Sequence, residues 1–203
     1  MLWGDVILDF DYFEAYRLMY LIRCTEETII ERYHRDQLMR CPTHLSIGQE
    51  SATVGAMMAL NLNDHVYSCH RSHAHYLAKG GDLNAMISEL HGKATGCAGG
   101  WGGSMHLCDE SVGFMGATPV VGDGISMAVG SALAFKLDGS SNVAVTYFGD
   151  SAVETGQFWE AANFSALHKL PVLFICENNG YATATPISER QPPTPIYLSL
   201  IHI

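Results

Sequence analysis

No apolar run in this 203-residue sequence approaches the roughly 18 residues that mark a membrane span, so no membrane is expected as a partner. Positive charge is scarce. Eleven Lys and Arg stand against 21 Asp and Glu, a formal net charge of −10, with no basic stripe and no interleaved aromatics. Such a chain repels a phosphate backbone, and nucleic acid is not expected as a partner. The opening stretch MLWGDVILDFDYFEAYR lacks a basic n-region and carries Asp5, Asp9 and Asp11, so it reads poorly as a signal peptide. No CxxC occurs among Cys24, Cys41, Cys69, Cys97, Cys108 and Cys176, whose wide spacing points to reduced thiols and a cytoplasmic chain. The sequence also lacks an internal repeat. With 48% hydrophobic and only 16% charged residues, it is a folded domain of ordinary size rather than a disordered one.

What is present centres on residues 143–182. One apolar run, 143–148, stops at Gly149-Asp150; a helical stretch follows; a second apolar run, 172–176, stops at Glu177-Asn178-Asn179. If both runs are parallel strands joined by the helix, Asp150 and Asn179 fall at the carboxyl edge of one sheet, where open α/β sheets bind ligands. Hard oxygen donors on adjacent strand ends suit Mg²⁺, which takes one or two protein ligands and completes its octahedron with phosphate oxygens and water. The pair reads as a metal–diphosphate clamp.

GDS at 149–151 with NN at 178–179, set in ETGxxxEAxNxxAxxKLPVxFxCENNGYA, resembles the thiamine diphosphate signature of the α subunit of E1 components: the 2-oxo acid dehydrogenases and the related acetoin dehydrogenases. The resemblance extends from the first long helix to Gln191. It implies an α/β thiamine diphosphate-binding fold, a parallel sheet flanked by helices, incomplete at the C-terminus. The cofactors it implies are thiamine diphosphate and Mg²⁺, the metal ligands being Asp150, Asn179 and the backbone carbonyl of Tyr181. The implied activity is oxidative decarboxylation of a 2-oxo acid such as pyruvate, or cleavage of acetoin. The implied partners are an E1 β subunit in an α₂β₂ assembly, which supplies the glutamate acting on the aminopyrimidine, and a lipoyl-bearing E2.

Other blocks carry the same likeness. His70-Arg71 match a pair that contacts the diphosphate, and the spelling HRxHxHxxAKG is nearer to acetoin dehydrogenase chains than to the YRxH of pyruvate dehydrogenases. Cys69, His70, His73 and His75 also invite a zinc reading, against which stands the want of a second Cys/His cluster. His44, in THLSIGQE, matches a family histidine at the mouth of the active site; His44 and His73 are the candidate catalytic groups. Thr118-Pro119-Val120-Val121-Gly122 aligns with a segment whose backbone meets the aminopyrimidine, giving Pro119 and Val121 as cofactor contacts.

Ser151 stands where the family prefers Gly, and would be strained if that position needs φ > 0. Ser151 to Glu154 also spells a capping box, with Ser151 and Ala152 offering N–H groups to a phosphate at a helix start. The glycine-rich loop at 96–103 has Trp101 where the family carries a basic residue and no Walker-type Lys, which argues against a phosphate cradle. Gly122-Asp123-Gly124 is followed by Met127 and is no dinucleotide fingerprint.

Helices are predicted over 11–38, 49–61, 82–92 (capped by Asp82) and 121–137, with a short strand at 66–67. The predicted domain is 1–191. The remaining 192–203, PPTPIYLSLIHI, fits nothing in the family and is expected to be a spurious end of a truncated reading frame. A competing reading is a non-catalytic fragment that leaves a sheet face uncovered.

Overall fold

The computed structural model of the chain describes residues 10–39 and 41–197; the acidic N-terminal stretch at 1–9 and the LSLIHI segment at 198–203 lie outside the described residues. Among the described residues, no helix is long and apolar enough to cross a membrane.

Helix α1 (Tyr12–Asp36) starts where Asp11 accepts a hydrogen bond from the N–H of Glu14 at 2.9 Å, and ends on Gln37 in the left-handed region. His34 and Arg35 in its last turn complement the helix dipole. Its buried face carries Ala15, Ile22, Glu26 and Ile29, the three- and four-residue spacing of a core stripe. After α1 come α2 (Glu50–Met57), β1 (His65–Ser68), α3 (His73–Ala78), α4 (Leu83–Leu90), β2 (Phe114–Ala117) and α5 (Asp123–Leu137). β3 (Ala144–Gly149), α6 (Gly156–His168) and β4 (Val172–Glu177) follow, then a small antiparallel hairpin of β5 (Tyr181–Ala182) and β6 (Thr185–Pro186).

β1 to β4 form one parallel sheet in the order β2-β1-β3-β4. Each strand of the central pair is buried on both faces, so β3 is apolar throughout except for Thr146. Val145 and Tyr147 face the core shared with α1 to α4. Ala144 and Phe148 face α5 and α6, where Ile125, Val129, Phe158 and Ala161 complete the other layer. The chain moves from β1 to β2 in one direction, then back across β1 to β3 and on to β4. That reversal puts α5 and α6 on the face opposite α3 and α4, as right-handed crossovers require. β1 and β3 are therefore neighbours whose onward connections diverge, and a crevice opens between their carboxyl ends.

The predicted α/β architecture with a parallel sheet is what the structure has, and the expected β-α-β unit at 143–182 is β3-α6-β4. Asp82 caps α4 as expected, accepting from the N–H of Ala85 at 2.6 Å. The predicted helix over 49–61 stops early, because Met58 to Asp64 turn tightly: Asp64 accepts from the N–H groups of Asn61 and Val143, which closes the turn onto β3. α3, β2 and the small hairpin were not predicted from the sequence.

Candidate active site at the carboxyl edge of the sheet

The crevice is a cavity of about 150 Å³ bounded by the ends of three strands. β1 contributes Cys69, His70 and Arg71; β3 contributes Gly149, Asp150 and Ser151; β4 contributes Glu177, Asn179 and Tyr181, with Ala182 and Thr183 of the hairpin. Gln49, just before α2, and Val121, just before α5, complete the walls. Gly149 and Glu177 are register partners across β3 and β4, so Asp150 and Asn179 leave the sheet from neighbouring points, as the strand-end argument requires. The residues expected at the site thus converge for His70, Arg71, Val121, Asp150, Ser151, Asn179 and Tyr181.

Others do not reach the cavity. Pro119 is not among its walls, and Ala152 is 1% exposed with its methyl packed beside Ile125, Phe148 and Phe158. His73, expected as a catalytic group, is fully buried: Nδ1 lies 3.0 Å from Glu26 Oε1 and Nε2 lies 2.7 Å from Ser104 Oγ. Both ring nitrogens are engaged within the core, which leaves neither for a substrate. His73 ties α1, α3 and the 103–105 turn together; it is removed from the cavity. His44 is not a wall either, but its ring meets His70 edge to face at 4.7 Å, one layer behind the surface.

The zinc alternative fails on the same geometry. His75 turns away from His70, with Nδ1 at 2.7 Å from Ser68 Oγ and Nε2 at 3.1 Å from Glu177 Oε1. Among the described residues no three His, Cys, Asp or Glu side chains are grouped to hold a metal. The strand ends instead bring a carboxylate, Asp150, and an amide, Asn179, whose Oδ1 accepts from the N–H of Tyr181 at 3.0 Å, to one cavity; hard oxygens of this kind suit Mg²⁺ better than zinc.

Two further expectations are corrected. The 151–154 capping box does not form. Residues 150–154 make a 3-10 turn, and Thr155 caps α6 instead, its hydroxyl accepting from the N–H of Phe158 at 3.3 Å. Glu154 pairs with Arg190 rather than reaching back. Ser151 is not among the residues with positive φ, so the expected steric penalty of replacing Gly does not arise.

The electrostatics favour an anion near β1 and a cation near β3. Burial, with Arg71 adding its charge, pushes both His44 and His70 below the usual imidazole range, so both are neutral at pH 7. Burial also works against a charged Glu177, but the partnership of His75, Thr53 and Arg71 outweighs it and holds the carboxyl below its usual range. Burial pushes the Cys69 thiol up to about 11, which leaves it unreactive at neutral pH. Two buried polar atoms beside the cavity, Gln49 Oε1 and His44 Nδ1, have no hydrogen-bond partner among the described residues. Unsatisfied groups of that kind cost stability, and at a cavity they are what a bound group satisfies.

Sequence reasoning missed Gln49, Cys69, Gly149, Glu177, Ala182 and Thr183 as cavity walls. Glu177 was readable, since it directly follows the apolar run of β4. Thr183 left no signal: it holds φ at 55° in the hairpin turn, a conformation β-branched residues seldom adopt.

The glycine-rich loop lies elsewhere, against α4. Glu89, 1% exposed, accepts from the N–H groups of Ala98 and Gly100 on Oε2 (2.8 Å each) and of Gly102 and Gly103 on Oε1 (2.7 and 3.0 Å). Gly100 and Gly103 have φ of 81° and 63°, and a Cβ at either would sit 2.5 Å from Lys93 O or 2.7 Å from Cys41 Cβ. The loop's amides are therefore already occupied by a carboxylate of the chain itself.

The sequence pattern of the dehydrogenase E1 component family matches residues 16–198. The chain is similar to the acetoin:2,6-dichlorophenolindophenol oxidoreductase α subunit of Bacillus subtilis, 44% identical over 171 residues that cover 84% of this chain and 51% of that protein. It is similar also to the pyruvate dehydrogenase E1 component α subunit of Rhizobium meliloti, 40% identical over 194 residues (94% of this chain, 56% of that protein). With the somatic, mitochondrial form of that subunit from Rattus norvegicus the identity is 36% over 187 residues (92% and 47%). The chain thus spans about half the length of the curated relatives it matches. With its parallel sheet, its strand-end cavity and this breadth of similarity, the chain belongs to the dehydrogenase E1 component family, among the α subunits.

Proposed function

We propose that the chain is the cofactor-diphosphate half of a thiamine diphosphate- and Mg²⁺-dependent E1 enzyme, which decarboxylates a 2-oxo acid such as pyruvate. The observation that carries this reading is the convergence of Arg71, Asp150, Asn179 and Tyr181 on one cavity at the switch point of the sheet. Asp150, Asn179 and the Tyr181 carbonyl are the residues that would hold Mg²⁺, and Arg71 would meet a diphosphate oxygen by a charge-assisted bond. The thiamine group, when bound, supplies a nucleophilic carbon and an electron sink for cleavage beside a carbonyl.

The chain's own duties are binding and orientation. Ser151 and the neutral His70 are walls of the same cavity as Arg71 and Asp150, and Val121 gives that cavity an apolar side for a ring. Gln49, a cavity wall with an unpartnered buried Oε1, stands ready for a polar group of the ligand, and His44 backs His70 from behind the wall. The acid or base that acts on the cofactor ring is assigned to an E1 β partner in an α₂β₂ assembly, with transfer onward to a lipoyl E2, in the cytoplasm.

A second reading, cleavage of acetoin, is favoured by the HRSHAHYLAKG spelling at 70–80 and by the 44% identity to acetoin oxidoreductase α subunits from two organisms. Assaying pyruvate and acetoin with an artificial electron acceptor, on the chain reconstituted with its β partner, separates the two.

The clamp itself is tested by titrating thiamine diphosphate calorimetrically into the chain reconstituted with its β partner. Binding is expected with Mg²⁺, is expected to vanish in EDTA, and is expected to be absent in Asp150→Ala under either condition. Equal affinity in EDTA would refute the metal clamp.

A further inference from the structure

The two loops that carry the oxygen donors are physically tied by a third segment, residues 187–191, to which no role has been assigned. Arg190 Nη2 donates to Asp150 Oδ2 at 2.5 Å, and its Nη1 pairs with Glu154 Oε1. Gln191 Nε2 donates to the backbone carbonyl of Asp150 and to Glu154 Oε1, both at 2.8 Å. Asp150 is thereby held at two points, one on its carboxylate and one on its backbone.

The same segment also grips the other loop. The N–H of Ile187 donates to the carbonyl of Gly180 at 2.8 Å, one residue from both Asn179 and Tyr181. Arg190 Nε donates to Thr185 O at 3.2 Å at the base of the hairpin, and the N–H groups of Arg190 and Gln191 both return to Ile187 O. A continuous run of hydrogen bonds thus leads from the Asn179–Tyr181 loop through 187–191 to Asp150. The Arg190 side chain is only about 10% exposed, so its bonds face little competition from water.

The geometry points to Arg190 as a positioning residue for the divalent cation, an inference that rests on the clamp reading above. The guanidinium engages Oδ2 alone. No hydrogen bond reaches Oδ1 among the described residues, and Asp150 is a wall of the cavity, so Oδ1 is the oxygen left for a cation. A planar, permanently charged fork is well matched to such a role, since it fixes the carboxylate plane and cannot lose its proton at any relevant pH. Holding a ligand by its second oxygen is what residues behind a metal site usually do, and their loss weakens metal binding about 10- to 100-fold. The alternative is that Arg190 is a resident counter-ion that Mg²⁺ must displace. The two ideas give opposite signs.

The test is Mg²⁺ titration of the chain reconstituted with its β partner at saturating thiamine diphosphate, read by calorimetry and, with Mn²⁺ in place of Mg²⁺, by electron paramagnetic resonance. Arg190→Ala is expected to raise the Mg²⁺ midpoint about 10- to 100-fold. Arg190→Lys is expected to restore part of the loss, because it returns the charge without the fork. Glu189→Ala, an exposed neighbour, is expected to match wild type. Should Arg190→Ala fold poorly, Gln191→Ala removes the backbone anchor alone and is expected to shift the midpoint in the same direction. A midpoint that is unchanged, or that falls, in a folded Arg190 variant would overturn the positioning role, the second result by making Arg190 a competitor. If wild type itself shows no Mg²⁺-dependent cofactor binding, the clamp reading fails first and this inference with it.

Discussion

Glu89 and Asp150 are each only 1% exposed, yet they are satisfied in different ways. Glu89 accepts four backbone N–H groups from one loop and thereby spends both oxygens. Asp150 has a guanidinium on one oxygen and a cavity beside the other. The glycine-rich loop is the part of the sequence that most resembles an anion cradle, but its amides are closed by a carboxylate from within. The strand-end edge, by contrast, leaves Asp150 Oδ1 without a hydrogen bond among the described residues. A buried carboxylate with all its bonds made belongs to the architecture; one left half-made beside a cavity has an oxygen to give a ligand, the role proposed for Asp150.

The largest effect that would break this comparison is on stability. Glu89→Ala strands four buried N–H donors at about 1 kcal/mol or more each, so a loss of about 4 kcal/mol in chemical denaturation is expected. Thiamine diphosphate binding by the fraction still folded is expected to be unchanged. The pH dependence has a definite sign. Burial opposes the charge on Glu89, but the four N–H bonds outweigh it and hold the carboxyl below its usual range. Its contribution is therefore fully present above the unfolded value of about 4.3 and is lost as pH falls through the lower folded value. The stability gap between wild type and Glu89→Gln is expected to narrow as pH drops below about 4.3; a gap that widens on acidification would contradict the assignment.

The contrast also shows which features a sequence discloses. The β3-α6-β4 unit was legible because burial on both faces forces near-continuous apolar runs, and each run ended on residues that cannot continue a core strand. Asp82 was legible because a cap is a local bond between a side chain and an N–H three residues on. The Glu89 arrangement was not, since its partners lie 9 to 14 residues away on a turning loop that no periodicity describes. The one signal it leaves is an acid between the core residues Met86 and Leu90 just before a run of glycines. The capping box at 151–154 was misread for a physical reason: Thr155 competes as a cap one step later, and a distant Arg190 recruits Glu154. His73 was misread because short spacing to His70 does not make two side chains converge once a helix begins between them.

An intermediate effect sharpens the cavity side. Arg71 stands at the end of β1 on the cavity wall, with one guanidinium nitrogen donating to the carbonyl of Leu45. That bond leaves the rest of its fork for an anion. Arg71→Ala is expected to weaken thiamine diphosphate by roughly 1.5–3 kcal/mol, the size of a charge-assisted hydrogen bond. Mg²⁺ midpoints measured at saturating cofactor should move far less than in Arg190→Ala, because Arg71, whose guanidinium bonds to Leu45, makes no hydrogen bond to Asp150 or Asn179 among the described residues. Calorimetry on both variants side by side checks this, and a cofactor affinity unaltered by Arg71→Ala would remove it from the site.

The smallest expected effect belongs to Trp101, whose side chain is 95% exposed at the tip of the closed loop. Trp101→Lys asks whether charge alone converts the loop into a phosphate site. Phosphate recognition by a glycine loop needs free backbone N–H groups as well as a cation. Here Glu89 has taken those of Ala98, Gly100, Gly102 and Gly103, and its negative charge lies behind them. Trp101→Lys is therefore expected to change stability by no more than about 0.5 kcal/mol, as exposed substitutions do, and to leave thiamine diphosphate affinity unaltered. Pairing it with Glu89→Gln tests the reason: only when the internal carboxylate is neutralised should the added lysine draw inorganic phosphate to the loop. Phosphate binding by Trp101→Lys alone would mean that the loop opens without losing Glu89, and the distinction between the two carboxylates would fail.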